Sequence, residues 1–226
     1  KFWIYLMNSE LKKRLFTSIL LMSLLCVMYF YSFIMIISLI IIALIVWIEF
    51  YALISKIILR NAFKDKLFRF LYKSISLLYL SILVYYILAI ESYYPNLKLY
   101  LIYSVLVSIM SDIGGLVIGK TFKGRKLIKI SPNKTISGSI GSFMFSLFLI
   151  PFFYGDLFRY EFFTLILITI IISLTSQVGD LFISYLKRKA KVKNTSDILP
   201  GHGGFLDRVD GIIFAIPVGI LLFNLF

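Results

Sequence analysis

The run FIMIISLIIIALIVWIEFYALI, residues 33–54, decides the fold. Its length and apolarity suit a helix crossing the hydrocarbon core of a bilayer, which takes about 20 such residues. Outward from it, comparable runs recur at 15–31, 74–92, 98–118, 138–154, 162–181 and 209–226, so seven spans are expected. Composition agrees. Of the 226 residues 60% are hydrophobic and the mean hydropathy is +0.95, beyond the roughly 45–50% apolar share of a soluble domain. The expected fold is all-α: a polytopic helical transmembrane bundle, one integral membrane domain over residues 1–226.

The net charge of +13 would suit nucleic acid in a soluble chain, but here it sorts by loop. Bases at Lys12 to Arg14, Lys56 to Lys73, Lys120 to Lys134 and Lys187 to Arg208 fall on one side, twenty-one in all, against Lys98 and Arg159 on the other. The positive-inside rule then places the N-terminus and the basic loops in the cytoplasm and, with seven spans, the C-terminus outside. No nucleic-acid partner is expected. Tyr31 and Ser32 mark a tight hairpin between the first two spans. Residues 55–73, SKIILRNAFKDKLFRFLYK, interleave basic and apolar side chains. They suit either an amphipathic helix on anionic lipid or a plain connecting loop. Cys26 is the single cysteine, so no intrachain disulfide can form. Met7 before NSELKKRLF is a suitable native start, and the first helix, without a small-residue cleavage site, is expected to be retained.

Residues 176–210, SQVGDLFISYLKRKAKVKNTSDILPGHGGFLDRVD, join two apolar helices and hold four of the chain's eleven acids. Asp180 closes the sixth run, where an ionisable group is costly and points to function, or else caps the interface. Asp207 and Asp210 stand three apart, one turn on a helix face. Carboxylates so placed repel one another unless a cation or a proton intervenes. Oxygen ligands favour a hard ion, and Mg²⁺ is the usual one where substrate phosphates complete the shell. The bland alternative is charge matching to a helix N-terminus, and both roles can hold together. Asp180 from a neighbouring helix would complete a three-carboxylate metal site.

The glycines of PGHGG, Gly201, Gly203 and Gly204, allow unusual backbone angles and expose amides to an anion. His202 could donate to a phosphate oxygen or brace the loop. Arg208 can grip phosphate with two hydrogen bonds, while Lys187 and Arg188 are either ligands or topogenic charges. The fourth run ends in SDIGGLVIGK, with Asp112 beside Gly114 and Gly115. KISPNKTISGSIGS then brings Lys134 and Thr135 to the fifth. Small residues favour tight helix packing. Asp112 belongs either to a structural ion pair or to the same phosphate site.

The run from Ser184 to Asp210, SYLKRKAKVKNTSDILPGHGGFLDRVD, closely resembles the C-terminal motif of the phosphatidate cytidylyltransferases, or CDP-diacylglycerol synthases. SQVGD before it and SPNKT upstream match the family's patterns in order, so the resemblance covers about residues 105–226, the expected catalytic half. Residues 1–104 share only hydrophobicity with it. The resemblance implies an enzyme of the bacterial-type inner membrane, its site facing the cytoplasm. It would use CTP and phosphatidic acid drawn from the surrounding membrane lipid. By motif position, Asp180, Asp207 and Asp210 look like Mg²⁺ ligands, with room for a second cation. Lys134, Lys187, Arg188, His202 and Arg208 look like substrate-phosphate contacts. Thr135, Gly203, Gly204 and Asp112 are counted with the substrate-binding positions, and Lys187 and Arg208 with the catalytic ones. The resemblance also leaves a homodimer open.

Three positions depart from the family pattern: Asn194 replaces an aspartate, Ser137 a glutamate, and Gly114-Gly115 an Ala-Tyr pair. Rival readings are a CTP-dependent lipid kinase, a cytidylyltransferase for another lipid phosphate, a weakened paralogue that scaffolds lipid enzymes, and a small ion-coupled transporter. Acids, bases and glycines gathered at one face, rather than along a central pathway, argue against the transporter.

Overall fold

The computed structural model describes residues 2–59, 62–128, 131–155, 157 and 160–225, with side chains from residue 11 onward apart from 128 and 131–133. Of the loop charges counted above, Arg60, Lys129 and Arg159 lie outside the described residues. The helices are α1 (Phe2–Phe30), α2 (Ser32–Ile57), α3 (Phe63–Tyr93), α4 (Lys98–Phe122), α5 (Ile136–Leu147), α6 (Ile150–Phe153), α7 (Phe162–Lys189), α8 (Leu206–Val209) and α9 (Ile212–Leu225). A 3₁₀ turn, Pro95–Leu97, leads into α4, and an antiparallel hairpin of β1 (Lys126–Ile128) and β2 (Ser131–Thr135) joins α4 to α5.

Six stretches are long and apolar enough to cross a bilayer: Leu11–Phe30, Ser32–Ile57, Phe63–Tyr93, Pro95–Phe122, Ile136–Phe153 and Phe162–Lys189. They coincide with the first six expected spans. The seventh region holds α9, whose 14 residues make about 21 Å of helix, against a hydrocarbon core of about 30 Å. Its side chains Ala215, Ile216, Gly219, Ile220 and Phe223 are buried. The chain leaves the helix between the first two spans at Tyr31 alone, which is extended (φ −123°, ψ 99°).

Two compact units form, each threaded by distant parts of the sequence: Lys1–Glu91 with Leu186–Arg208, and Ser92–Tyr185 with Val209–Phe226. In the first, Phe16, Phe33, Ile75 and Tyr85 are exposed, as suits side chains that face lipid. Of residues 55–73, 55–57 close α2 and 63–73 form the first turns of α3, while 60 and 61 lie outside the described residues. The 31 residues of α3 extend about 46 Å, longer than the hydrocarbon core. Lys64, Lys66, Arg69 and Lys73 lie in its N-terminal third, so they can sit beyond the apolar layer. The Trp47 indole donates to Lys73 O (3.1 Å), and the Lys73 ammonium lies 3.1 Å from the Tyr51 ring centroid, a cation–π contact.

The second unit is held by small residues and hydroxyls. A Cβ on Gly141 would lie 2.7 Å from Gly114 O, and one on Gly138 would lie 2.9 Å from Gly115 O. Only glycine permits α4 and α5 to approach so closely. Serines then bridge the helices: Ser142 donates to Ser111 O (2.7 Å), and the Ser108 and Ser176 hydroxyls pair at 2.7 Å. Apart from water, interhelical hydrogen bonds of this kind satisfy hydroxyls that lipid could not. Beyond the hydroxyls, Phe223 of α9 stacks on Tyr100 (4.5 Å between centroids) and accepts at its carbonyl from the Tyr160 hydroxyl (2.5 Å).

Candidate active site

Three lysine and arginine residues, Lys187 to Lys189, occupy the last turn of α7, where cations complement the helix dipole. Lys191 takes a left-handed φ of 55° and ends the helix, with Val192 N donating to Lys187 O (3.0 Å). The chain then reaches a turn whose chemistry is plain in Leu199-Pro200-Gly201-His202. His202 N donates to Leu199 O (2.9 Å) and Gly201 sits at φ 74°. Proline followed by a glycine at positive φ is the type II signature. Gly203, at φ 84°, pairs back onto Leu199 (2.8 and 3.1 Å).

Asp207 ties this turn to α7. Its Oδ1 accepts from Lys187 Nζ (2.6 Å), and its Oδ2 from Thr195 N (2.8 Å) and Gly204 N (3.1 Å), with Thr195 Oγ1 also within reach at 3.0 Å. The pair is largely buried, 14% exposed at Lys187 and 7% at Asp207. Burial alone would raise the Asp207 pKa. Lys187 and the Thr195 and Gly204 amides outweigh it and hold the carboxyl below its ordinary value.

Beside it stands a residue that the sequence analysis missed. Glu49 of α2 is buried and accepts from Thr195 Oγ1 (2.8 Å), Ser196 Oγ (2.5 Å), Phe205 N (3.1 Å) and Leu206 N (2.8 Å). It supplies the acceptors that the start of α8 needs. The signal was available: an acid inside an apolar run, the same cost that drew notice to Asp180 and Asp112. Gly204 is part of this arrangement, because a Cβ there would collide with Thr195 Oγ1 and both Glu49 carboxylate oxygens.

His202 braces the turn. Its Nδ1 hydrogen-bonds the Thr17 hydroxyl of α1, and its Nε2 lies 3.4 Å from Ser18 Oγ. Arg208 donates to His202 O through Nη2 (2.8 Å) and Nε (3.3 Å). Burial, then the charges of Arg208 and Arg14, push the imidazole pKa below its ordinary value.

In the second unit, the hairpin delivers Lys134 to an ion pair with Asp180, and Ser184 Oγ donates to Asp180 Oδ1 (3.2 Å). Gln177 of the same helix accepts from Ser139 (2.6 Å), holding α7 to α5. Asp210 is buried and accepts from Gly211 N (3.0 Å). A Cβ on Gly179 would lie 2.7 Å from Asp210 O, so this glycine lets the backbone before Asp180 meet that of Asp210. Thr135 serves as the N-cap of α5, accepting from Gly138 N (3.0 Å), while Arg188 is exposed and Asp112 half-buried on α4.

Asp180 and Asp210 thus belong to the second unit and Asp207 to the first. Among the described residues, no three of His, Cys, Asp and Glu are gathered as a metal cluster. Each of the three aspartates offers a carboxylate, the donor type that suits a hard cation. Asp180 and Asp207 are each offset by an ammonium, Lys134 and Lys187. At two of the three departures, Ser137 Oγ donates to Lys123 O (2.5 Å), and Asn194 packs at Gly203, where a Cβ would lie 3.1 Å from Asn194 Cγ and 3.0 Å from Asp207 Oδ2.

A model described as the cytidylyltransferase family matches residues 3–226. The phosphatidate cytidylyltransferase of Staphylococcus haemolyticus is 42% identical over 130 residues, covering 56% of this chain and 50% of the relative. That of Bacillus subtilis is 34% identical over 165 residues, covering 68% and 58%. That of Rickettsia typhi is 44% identical over 117 residues, covering 47% and 50%. The chain spans about half the length of the curated relatives it matches.

Proposed function

Because the chain belongs to the cytidylyltransferase family, we propose that it transfers a cytidylyl group from CTP to phosphatidic acid, at the cytoplasmic face of a bacterial-type inner membrane. A phosphate oxygen of phosphatidic acid attacks the α-phosphorus of CTP. The new P–O bond gives CDP-diacylglycerol as the bond to the β-phosphate oxygen breaks and pyrophosphate leaves. The lipid phosphate is already ionised, so no protein nucleophile is required.

One observation carries this reading. The bases that would hold phosphate and the acids that would hold a cation contact one another directly, Lys187 with Asp207 and Lys134 with Asp180. Each pair offers a group for phosphate and a group for a divalent ion. Asp180, Asp207 and Asp210 would hold Mg²⁺, which supplies charge neutralisation on the phosphates when bound. The names of the curated relatives support the substrate pair. Lys187 and Lys134, released from their acids, would stabilise the negative charge of the leaving pyrophosphate. Arg208 and His202 keep the glycine turn in shape through the His202 carbonyl and the His202–Thr17 contact.

The test is pyrophosphate release from CTP and phosphatidic acid in detergent micelles with Mg²⁺, comparing the parent protein with Asp210→Asn. Turnover that needs both substrates and is lost in the variant, at unchanged melting temperature, supports the reaction and its carboxylates. Turnover untouched by the variant removes Asp210 from the site. No turnover by folded protein refutes the proposal.

A further inference from the structure

Arg14 entered the sequence analysis only as a topogenic charge, yet α1 is docked on the glycine turn. The Thr17 hydroxyl lies 3.3 Å from Pro200 O and also bonds the His202 ring. Gly201 meets Arg14 so closely that a Cβ there would lie 3.0 Å from Arg14 Cγ and 3.3 Å from its backbone nitrogen. These contacts hold the Arg14 backbone and Cγ beside an open surface pocket of about 290 Å³ lined by Arg14, Lys193, Asn194, Gly201, His202 and Arg208, with all three cations exposed.

The lining holds three permanent cations and no carboxylate. Among the described residues, neither Arg14, Lys193 nor Arg208 is ion-paired with an acid. Like charges brought together without a counter-charge repel one another. Lys187 and Lys134 each found an acid in this protein, so the three cations of the cavity stand apart from that pattern. An anion resolves the repulsion. Two guanidinium groups favour an oxyanion that takes paired hydrogen bonds, and phosphate is such an anion.

We propose that Arg14, with Lys193 and Arg208, forms a phosphate-binding pocket, so that the first helix takes part in holding substrate. The assignment of that phosphate to CTP or to phosphatidic acid rests on the function proposed above. The pocket itself does not.

The experiment uses the full chain in detergent, with inorganic pyrophosphate as probe. Calorimetric titration is run on the parent, Arg14→Gln and Lys193→Gln, and KM is measured for each substrate. The parent binds pyrophosphate, and each variant weakens it about tenfold or more, the loss of one charge-assisted contact. A raised KM for CTP alone assigns the pocket to the nucleotide phosphates, and a raised KM for phosphatidic acid alone assigns it to the lipid headgroup. Weakened pyrophosphate binding in a protein without turnover sinks the proposed reaction and leaves the pocket standing. Should Arg14→Gln lower the melting temperature, Arg14→Lys keeps the charge without the planar fork and is expected to fold and still bind several-fold more weakly. Equal pyrophosphate binding and equal KM values across the folded variants, or a parent that does not bind pyrophosphate, overturn the proposal.

Discussion

Replacing Glu49 tests whether a carboxylate on α2 holds the glycine turn in place. Glu49→Ala strands the Phe205 and Leu206 amides and the Thr195 and Ser196 hydroxyls, all four of which now donate to it. Each hydrogen bond to a charged group contributes about 1.5–3 kcal/mol net, and a stranded buried donor costs about 1–3 kcal/mol. The hydroxyls can rotate to other acceptors, and Thr195 Oγ1 still has Asp207 (3.0 Å). The amides cannot. Two of them set the loss at about 3–6 kcal/mol, and at about 1.4 kcal/mol per tenfold the lower end is already two decades. The assay is hydrogen exchange of the amides between 194 and 206 in detergent-solubilised protein, read with CTP turnover. Exchange at least a hundredfold faster, with lost turnover, is expected for Glu49→Ala. Glu49→Gln, which keeps one carbonyl oxygen, should fall between. Unchanged exchange and turnover in Glu49→Ala would refute the bracing role.

Gly204→Ala places a methyl against Thr195 Oγ1 and the immobilised Glu49 carboxylate, whereas a Cβ on Gly155 meets nothing within 4 Å. The first should lower the melting temperature by several degrees and the second should leave it unchanged, by thermal unfolding in one detergent. Lys187→Met leaves the Asp207 carboxylate buried without its ammonium, a loss of about 3–5 kcal/mol for a broken buried pair. Chemical denaturation should show it, and Lys187→Met with Asp207→Asn should recover part of the loss. His202 has a pKa lowered first by burial, then by Arg208 and Arg14. Unfolded chains therefore take up a proton that the folded protein resists, and stability falls as pH drops from about 6.5 toward the folded pKa. His202→Gln should flatten that part of the stability–pH curve.

The spans were legible because a 22-residue apolar run can do little else in water or lipid. Their ends were less so. Residues 55–73 read as an interfacial helix or a connecting loop because bases interrupt the apolar pattern, but 63–73 belong to α3. Helical hydrogen bonding ignores the change in side-chain character, and a helix longer than the bilayer can carry its charges outside it. The seventh run looked like the others, while the helix in it starts only at Ile212, after the backbone breaks at Asp210 and Gly211. For the site, the turn was readable from Pro200 and Gly201, and the resemblance named the acids. Its partners were not readable. Nothing in the one-dimensional pattern tells Lys187 to meet Asp207 twenty residues away, or Lys134 to meet Asp180. Glu49 and Arg14 were hidden by their settings, one in an apolar run and the other in a basic cluster that the positive-inside rule already explained.

The most direct test of the central claim follows the label from CTP into lipid. Purified chain is incubated with phosphatidic acid and CTP labelled at the α- or the γ-phosphorus, and the lipid phase is extracted. Cytidylyl transfer predicts that the α-label enters lipid only when phosphatidic acid is present, while the γ-label leaves as pyrophosphate. A γ-label in lipid, or an aqueous α-label with folded protein and both substrates supplied, would contradict the account.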